Sequence, residues 1–118
     1  MNEEELKPEA MVEDVRNKMI PEGCVKELAS FFKVFGDESR VRILYALSSY
    51  EMCVNVLAEA LGMSQSSLSH QLKLLKLNGL VKYRRDGRNI YYSLDDQHVV
   101  DVFNEGLEHI THRMREHQ

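Results

Sequence analysis

Apolar positions recur at three- and four-residue intervals over most of the 118-residue chain and alternate singly in one short stretch. This pattern predicts a mainly α fold with one small β-hairpin. Val25, Leu28, Phe31, Phe32 and Phe35 make a helical face from Cys24 to Phe35. Gly36 suits the position just past a helix, and Asp37 is a good N-cap for the next one. That helix, Glu38 to Ser48, is expected to bury Val41, Ile43, Leu44 and Leu47 and to turn Arg40 and Arg42 elsewhere. A further helix is predicted from Cys53 to Leu61. After a turn at Gly62 and Met63, Ser64 caps another from Gln65 to Leu77, with Leu68, Leu72 and Leu75 inward. Residues 1–20 are polar, with a loose helix from Glu9 to Met19 bracketed by Pro8 and Pro21. They read as an N-terminal arm ahead of a single domain at 21–118.

Two short helices joined by a three-residue turn containing glycine form a helix-turn-helix. Its second helix exposes Gln65, Ser66, Ser69, His70 and Lys73, which are small polar or basic groups. A recognition helix offers such residues, near its N-terminus, to base edges in the major groove. His70 reads equally as a DNA contact or as a group satisfying nearby backbone. The alternating runs L-V-K-Y-R-R and N-I-Y-Y-S-L then flank Asp86-Gly87, a strong hairpin signal. Val81, Tyr83, Ile90 and Tyr92 are expected to divide between the two faces. Arg84, Arg85 and Arg88 make the hairpin a basic wing that can grip the DNA backbone. Together these elements predict a winged helix-turn-helix.

Charge sharpens that reading. The net charge is −4, yet residues 64–92 hold Lys73, Lys76, Lys82, Arg84, Arg85 and Arg88 against Asp86 alone. One basic segment in an acidic protein binds phosphate locally while the acidic ends discourage non-specific association. No apolar run approaches the ~20 residues of a membrane span. The acidic start lacks the features of a signal peptide, and Cys24 and Cys53 give no disulfide framework, so a cytoplasmic protein is expected. No nucleophile–base arrangement or Gly-rich phosphate loop stands out, which argues against an enzyme.

The last quarter of the chain adds a second chemistry. Three of the five histidines, His98, His109 and His112, lie there with Asp96. Val99, Val102, Phe103, Gly106, Leu107, Ile110 and Met114 place them on one helix. His98 and His109 share a stripe, with His112 beside His109. A rise of about 1.5 Å per residue separates His98 from His109 by roughly 16 Å, whereas zinc takes ligands at about 2 Å. One helix cannot close such a site. Two antiparallel copies about a two-fold axis can, each bringing Asp96 and His98 to the other's His109 and His112. The axis would cross near residue 104, and close approach there would explain Gly106, which costs about 1 kcal/mol inside a helix. Four protein ligands close the shell, as in structural and regulatory sites. The nitrogen and oxygen donors favour Zn(II) or Co(II), with Ni(II) also compatible, over soft metals.

With those residues in place, the chain resembles the ArsR/SmtB family of metal-responsive winged-helix repressors over about residues 24–114. The likeness rests on F-G-D-E-S-R-V-R-I-L at 35–44, L-A-E-A-L-G-M-S-Q-S-S-L-S-H-Q-L-K-L-L at 57–75 and G-L-V-K-Y-R-R-D-G-R-N-I-Y-Y-S-L at 79–94. The final helix of the family's zinc- and cobalt-sensing members carries Asp-x-His near its start and His-x-x-His or His-x-x-Glu near its end. Asp96, His98, His109 and His112 match the first form at every position. The resemblance implies a homodimer that holds double-stranded operator DNA with an inverted repeat and releases it on binding Zn(II), derepressing metal-efflux genes. A second family site, a Cys-x-Cys pair, departs from pattern here, because Cys53-Val54-Asn55 lacks one thiol. The alternative is a repressor sensing soft metal or thiol oxidation through Cys24 and Cys53, with the histidine site structural. The plainer reading makes both cysteines buried and inert.

Overall fold

Ile43, Leu44 and Leu47 meet Leu57 and Ala58, and both groups pack on Leu68, Leu72 and Leu75, so three short helices close around one leucine-rich core. A computed structural model describes residues 7–117 of the chain. In order the elements are α1 (Pro8–Lys18), α2 (Glu22–Phe35), α3 (Glu38–Ser49), β1 (Met52–Cys53), α4 (Val54–Leu61), α5 (Gln65–Leu77), β2 (Val81–Asp86), β3 (Asn89–Leu94) and α6 (Gln97–Glu116). Contacts divide the chain into two units, one ending at Ser30 and the other starting at Phe31. In the first, α1 buries none of its residues, and Lys18 pairs with Asp14 at 3.1 Å. Its proline lies at the helix start, where a missing N–H goes unnoticed.

The second unit carries the helix-turn-helix. Helix α4 stops at Gly62, whose φ of 64° is left-handed, and the Met63 N–H returns to the Ala58 carbonyl at 3.0 Å. Glycine takes that conformation without the Cβ penalty other residues meet. Ser64 then starts α5 by accepting the Ser67 N–H at 3.1 Å. Gly79, at φ 73°, turns the chain out of α5, and the Leu80 N–H bonds back to Leu75 at 2.9 Å. Leu80 and Val81 are buried, which roots the wing in the core.

Strands β2 and β3 pair antiparallel from Val81↔Leu94 to Asp86↔Asn89. The two-residue loop is therefore Gly87-Arg88, one place beyond the expected Asp86-Gly87. Gly87 has φ 64° and no non-glycine has a positive φ among the described residues. Positive φ at the first loop residue alone is the requirement of a type II′ turn. The register also corrects the expected division of side chains. Tyr83 pairs with Tyr92 and Arg85 with Ile90, and a period of two puts Val81, Tyr83, Ile90 and Tyr92 all on one face. A third strand was not anticipated. Met52 and Cys53 pair with Tyr92 and Tyr91 of β3, giving the order β1-β3-β2 and delaying α4 to Val54.

Three details at and just before α3 differ from expectation. Val41 is 41% exposed and not in the core. Arg40 is not turned away: its Nε donates to the Val34 carbonyl at 2.7 Å and ties α3 to the end of α2. Gly36 keeps an ordinary φ, and its N–H reaches Lys33 at 3.0 Å instead of forming a left-handed cap. Asp37 caps α3 as expected, accepting the Arg40 N–H at 3.1 Å. No helix among the described residues is long and apolar enough to cross a membrane.

Candidate nucleic-acid interface and metal-ligating helix

Leu68, Leu72 and Leu75 fix which way α5 faces, so the opposite side is left to solvent. Gln65, Ser66, Ser69, His70 and Lys73 are all exposed there. The N-terminal turn of α5 holds Gln65 and Ser66, where free N–H groups and the helix dipole favour an anion. Lys76 was not among the expected site residues. Its ammonium sits 4.0 Å from the centre of the Tyr83 ring, a cation–π contact that joins α5 to the wing.

The three wing arginines are exposed but not equivalent. Arg84 is engaged within the chain: its Nε donates to Glu51 Oε1 at 2.8 Å, and Nη2 lies 2.7 Å from the same oxygen. Its guanidinium also lies 4.7 Å from the centre of the Tyr91 ring. The hydrogen bond from Arg84 holds the Glu51 carboxyl below its ordinary range and raises Arg84 in turn. Arg85 pairs with Ile90 on the other face, the one that carries Tyr83 and Lys76. Arg88 is a loop-tip residue that also lines a hollow of about 200 Å³ with Cys53, Asn55 and Asn89. Glu51 escaped sequence reasoning because it lies 33 residues from Arg84, and no local pattern announces such a pair.

Helix α6 presents the metal-ligand candidates. Asp96 is its N-cap, with Oδ1 accepting the Val99 N–H at 3.1 Å. That hydrogen bond, followed by the neighbouring His98, holds the Asp96 carboxyl below its ordinary range. Oδ2 stays on the solvent side, 3.5 Å from His98 Nδ1. His98 is 94% exposed, and His109 and His112 are exposed as well. His112 Nε2 lies 3.1 Å from Glu116 Oε1. The structure thus brings Asp96 to His98, and helical spacing sets His109 by His112. It does not gather the two pairs, and no group of three or more ligating side chains exists within the described residues of one chain. Between the pairs runs an apolar strip. Val99 and Phe103 turn into the core, whereas Leu107 is 44% and Ile110 50% exposed. Leu107 and Ile110 line an open hollow of about 430 Å³ with Phe32, Phe35, Val41 and Gly106. Cys53 is half-buried, but Cys24 is exposed, which corrects the expectation that both thiols are buried.

A helix-turn-helix with its polar face free, backed by a basic three-stranded wing, defines a winged helix-turn-helix DNA-binding protein. The sequence profile of the bacterial regulatory proteins of the arsR family matches residues 37–83. A transcriptional repressor SmtB homolog from Synechocystis sp. is 42% identical over 99 residues, 84% of this chain and 75% of that protein. A cadmium resistance transcriptional regulatory protein CadC homolog from Staphylococcus aureus is 42% identical over 84 residues, 70% and 69% of the two chains. The solution structure of a homodimeric winged helix-turn-helix DNA-binding domain from Mycobacterium bovis superposes with a TM-score of 0.74. It is 27% identical and covers 86% of this chain and 95% of that one. The chain belongs to the arsR family of bacterial regulatory proteins. It is a DNA-binding transcriptional regulator and not an enzyme.

Proposed function

We propose that the chain is a homodimeric, metal-responsive repressor that holds operator DNA when metal-free and releases it on binding Zn(II) or Co(II). The observation that carries this reading is the layout of α6. Asp96 and His98 stand at one end, His109 and His112 near the other, and the uncovered apolar strip lies between them. A second α6 laid antiparallel covers the strip and brings each ligand pair to its complement. Gly106 suits that approach, since it lies on the hollow and the space a Cβ would take is open beyond its own helix backbone. Each α5 would take one half-site of an inverted repeat, with the spacing set by the dimer.

The donor set fits a regulatory zinc ion. Asp96 uses Oδ1 to start the helix and keeps Oδ2 available, so capping and ligation do not compete. When bound, the ion supplies a closed four-ligand cross-link between the two α6 helices. His109 and His112 would each retain a second ring nitrogen to donate to backbone, such as the end of α5 near Gly79, as ligating histidines commonly do. The cross-linked arrangement then favours one spacing of the two DNA-binding heads. Where that spacing fits the operator poorly, DNA and metal weaken each other by the same factor.

The test is operator binding by fluorescence anisotropy at fixed salt, with chelator and then with one Zn(II) per chain. A large loss of affinity with zinc is expected. Tight binding indifferent to zinc would leave the histidine site structural and move the sensing role to Cys24 and Cys53. Loss of the folded dimer on chelation would mark the metal as purely structural.

A further inference from the structure

We propose that Glu51 and Arg84 form a clamp that aims the wing at DNA, so that Arg84 is a positioning residue and not a phosphate contact. The proposal rests on the DNA-binding reading of α5 and the wing. The Arg84 guanidinium is held within the chain along one edge and over one face. Its Nε and Nη2 converge on Glu51 Oε1 at 2.8 and 2.7 Å. Nη1 lies 3.9 Å from Asp86 Oδ2, and the Tyr91 ring covers one face at 4.7 Å. A phosphate taking the Nε–Nη2 edge, the one that offers two parallel N–H groups, would have to displace Glu51.

The sheet register explains why Arg84 and Arg85 part company. Arg84 pairs with Tyr91 and Tyr91 with Cys53, so these three share one face. Glu51, just ahead of β1 and two residues before Cys53, meets Arg84 there. Arg85 pairs with Ile90 on the opposite face, where Lys76 of α5 reaches over Tyr83. The backbone of β1 bonds to β3 at Met52 and Cys53. The clamp carries that hold across β3 to the outer strand β2, at the point from which Arg85 projects.

Simple electrostatics and the clamp predict opposite signs. Deleting the negative charge of Glu51 from a basic region would, by charge alone, tighten DNA binding. Releasing the wing weakens it. The experiment uses the full chain and a fluorescein-labelled duplex of roughly 30 bp, three helical turns, that the wild-type protein has enriched from a random pool. Anisotropy is followed across a salt series, and circular dichroism verifies the fold, which exposed substitutions leave intact.

Glu51→Ala and Arg84→Ala are each expected to weaken binding about three- to fivefold, the range of a well-made surface pair. The double variant should bind no worse than either single one. The charge exchange, Glu51→Arg with Arg84→Glu, should recover most of the loss, and the salt slope should stay at its wild-type value. Arg85→Ala should cost less in the Glu51→Ala background than in the wild type, a coupling that a merely structural pair would not show. Tighter binding by Glu51→Ala overturns the clamp. So does a salt slope reduced by about one in Arg84→Ala, the signature of a lost phosphate contact. A wild-type chain that enriches no duplex overturns the DNA-binding reading itself.

Discussion

Helices α5 and α6 are both amphipathic, but only one of them is finished within the chain. In α5 the inward leucines at 68, 72 and 75 are fully buried, and what remains outside is polar apart from Leu77. In the 20-residue α6, Val99 and Phe103 are buried, while Val102, Leu107, Ile110 and Met114 stay exposed. A lone exposed apolar side chain needs no explanation, but a row of them beside a hollow marks a surface built for contact. The difference separates two jobs. The proposed DNA-reading element buries its apolar face within a single chain, whereas the proposed regulatory element leaves much of its own uncovered.

The largest effect should come from charging the unfinished side. Leu107→Asp is expected to split the dimer, at a cost of about 3–6 kcal/mol for two leucine side chains left unburied or replaced. Sedimentation would show a monomer with intact helical content; a persisting dimer would move the interface away from α6. Leu72→Ala attacks the finished side and should destabilise the fold by about 2–5 kcal/mol in denaturant melts. A near-neutral result would mean that the core relaxes around α5.

His109→Ala should abolish zinc-induced release, a coupling of about 1–3 kcal/mol, while leaving metal-free DNA binding unchanged. Operator titrations with and without zinc decide it. Protons compete with metal for ligand histidines, so zinc affinity should fall between about pH 7.5 and about pH 5.5. Equal affinity at both values would remove these histidines from the site. The smallest change is Arg85→Ala, expected to weaken operator binding severalfold and to lower the salt slope by about one. An unchanged slope would take Arg85 off the DNA.

Local signals explain what was legible in the sequence. Helix α5 runs from Gln65 to Leu77 as predicted, because Ser64 caps it and Gly62 isolates it from α4. The hairpin was evident from two alternating runs around a glycine, though its loop fell one residue later. Strand β1 was hidden, since Met52 and Cys53 adjoin a helical pattern and are strands only by virtue of partners at Tyr92 and Tyr91. Val41 looked like core for a related reason. Its period fits α3, but whether a helical position is covered depends on what lies opposite, and here that is an open hollow. The metal-ligand candidates rest on residue type and spacing, since one chain does not gather them. The Glu51 partner of Arg84 was not legible, because long-range side-chain pairs leave no periodic trace.

Strand β1 runs into α4 without an intervening residue, Cys53 ending one and Val54 opening the other. The wing is thereby spliced to the first helix of the helix-turn-helix through backbone alone. Tilting the hairpin would drag α4, and α4 is locked to α5 through the shared leucine core. On the proposed dimer, a metal signal arriving at α6 would meet a reading head whose helices and wing root move together. It would act on how far apart two such heads stand, or how they are rotated, more than on the core of either one.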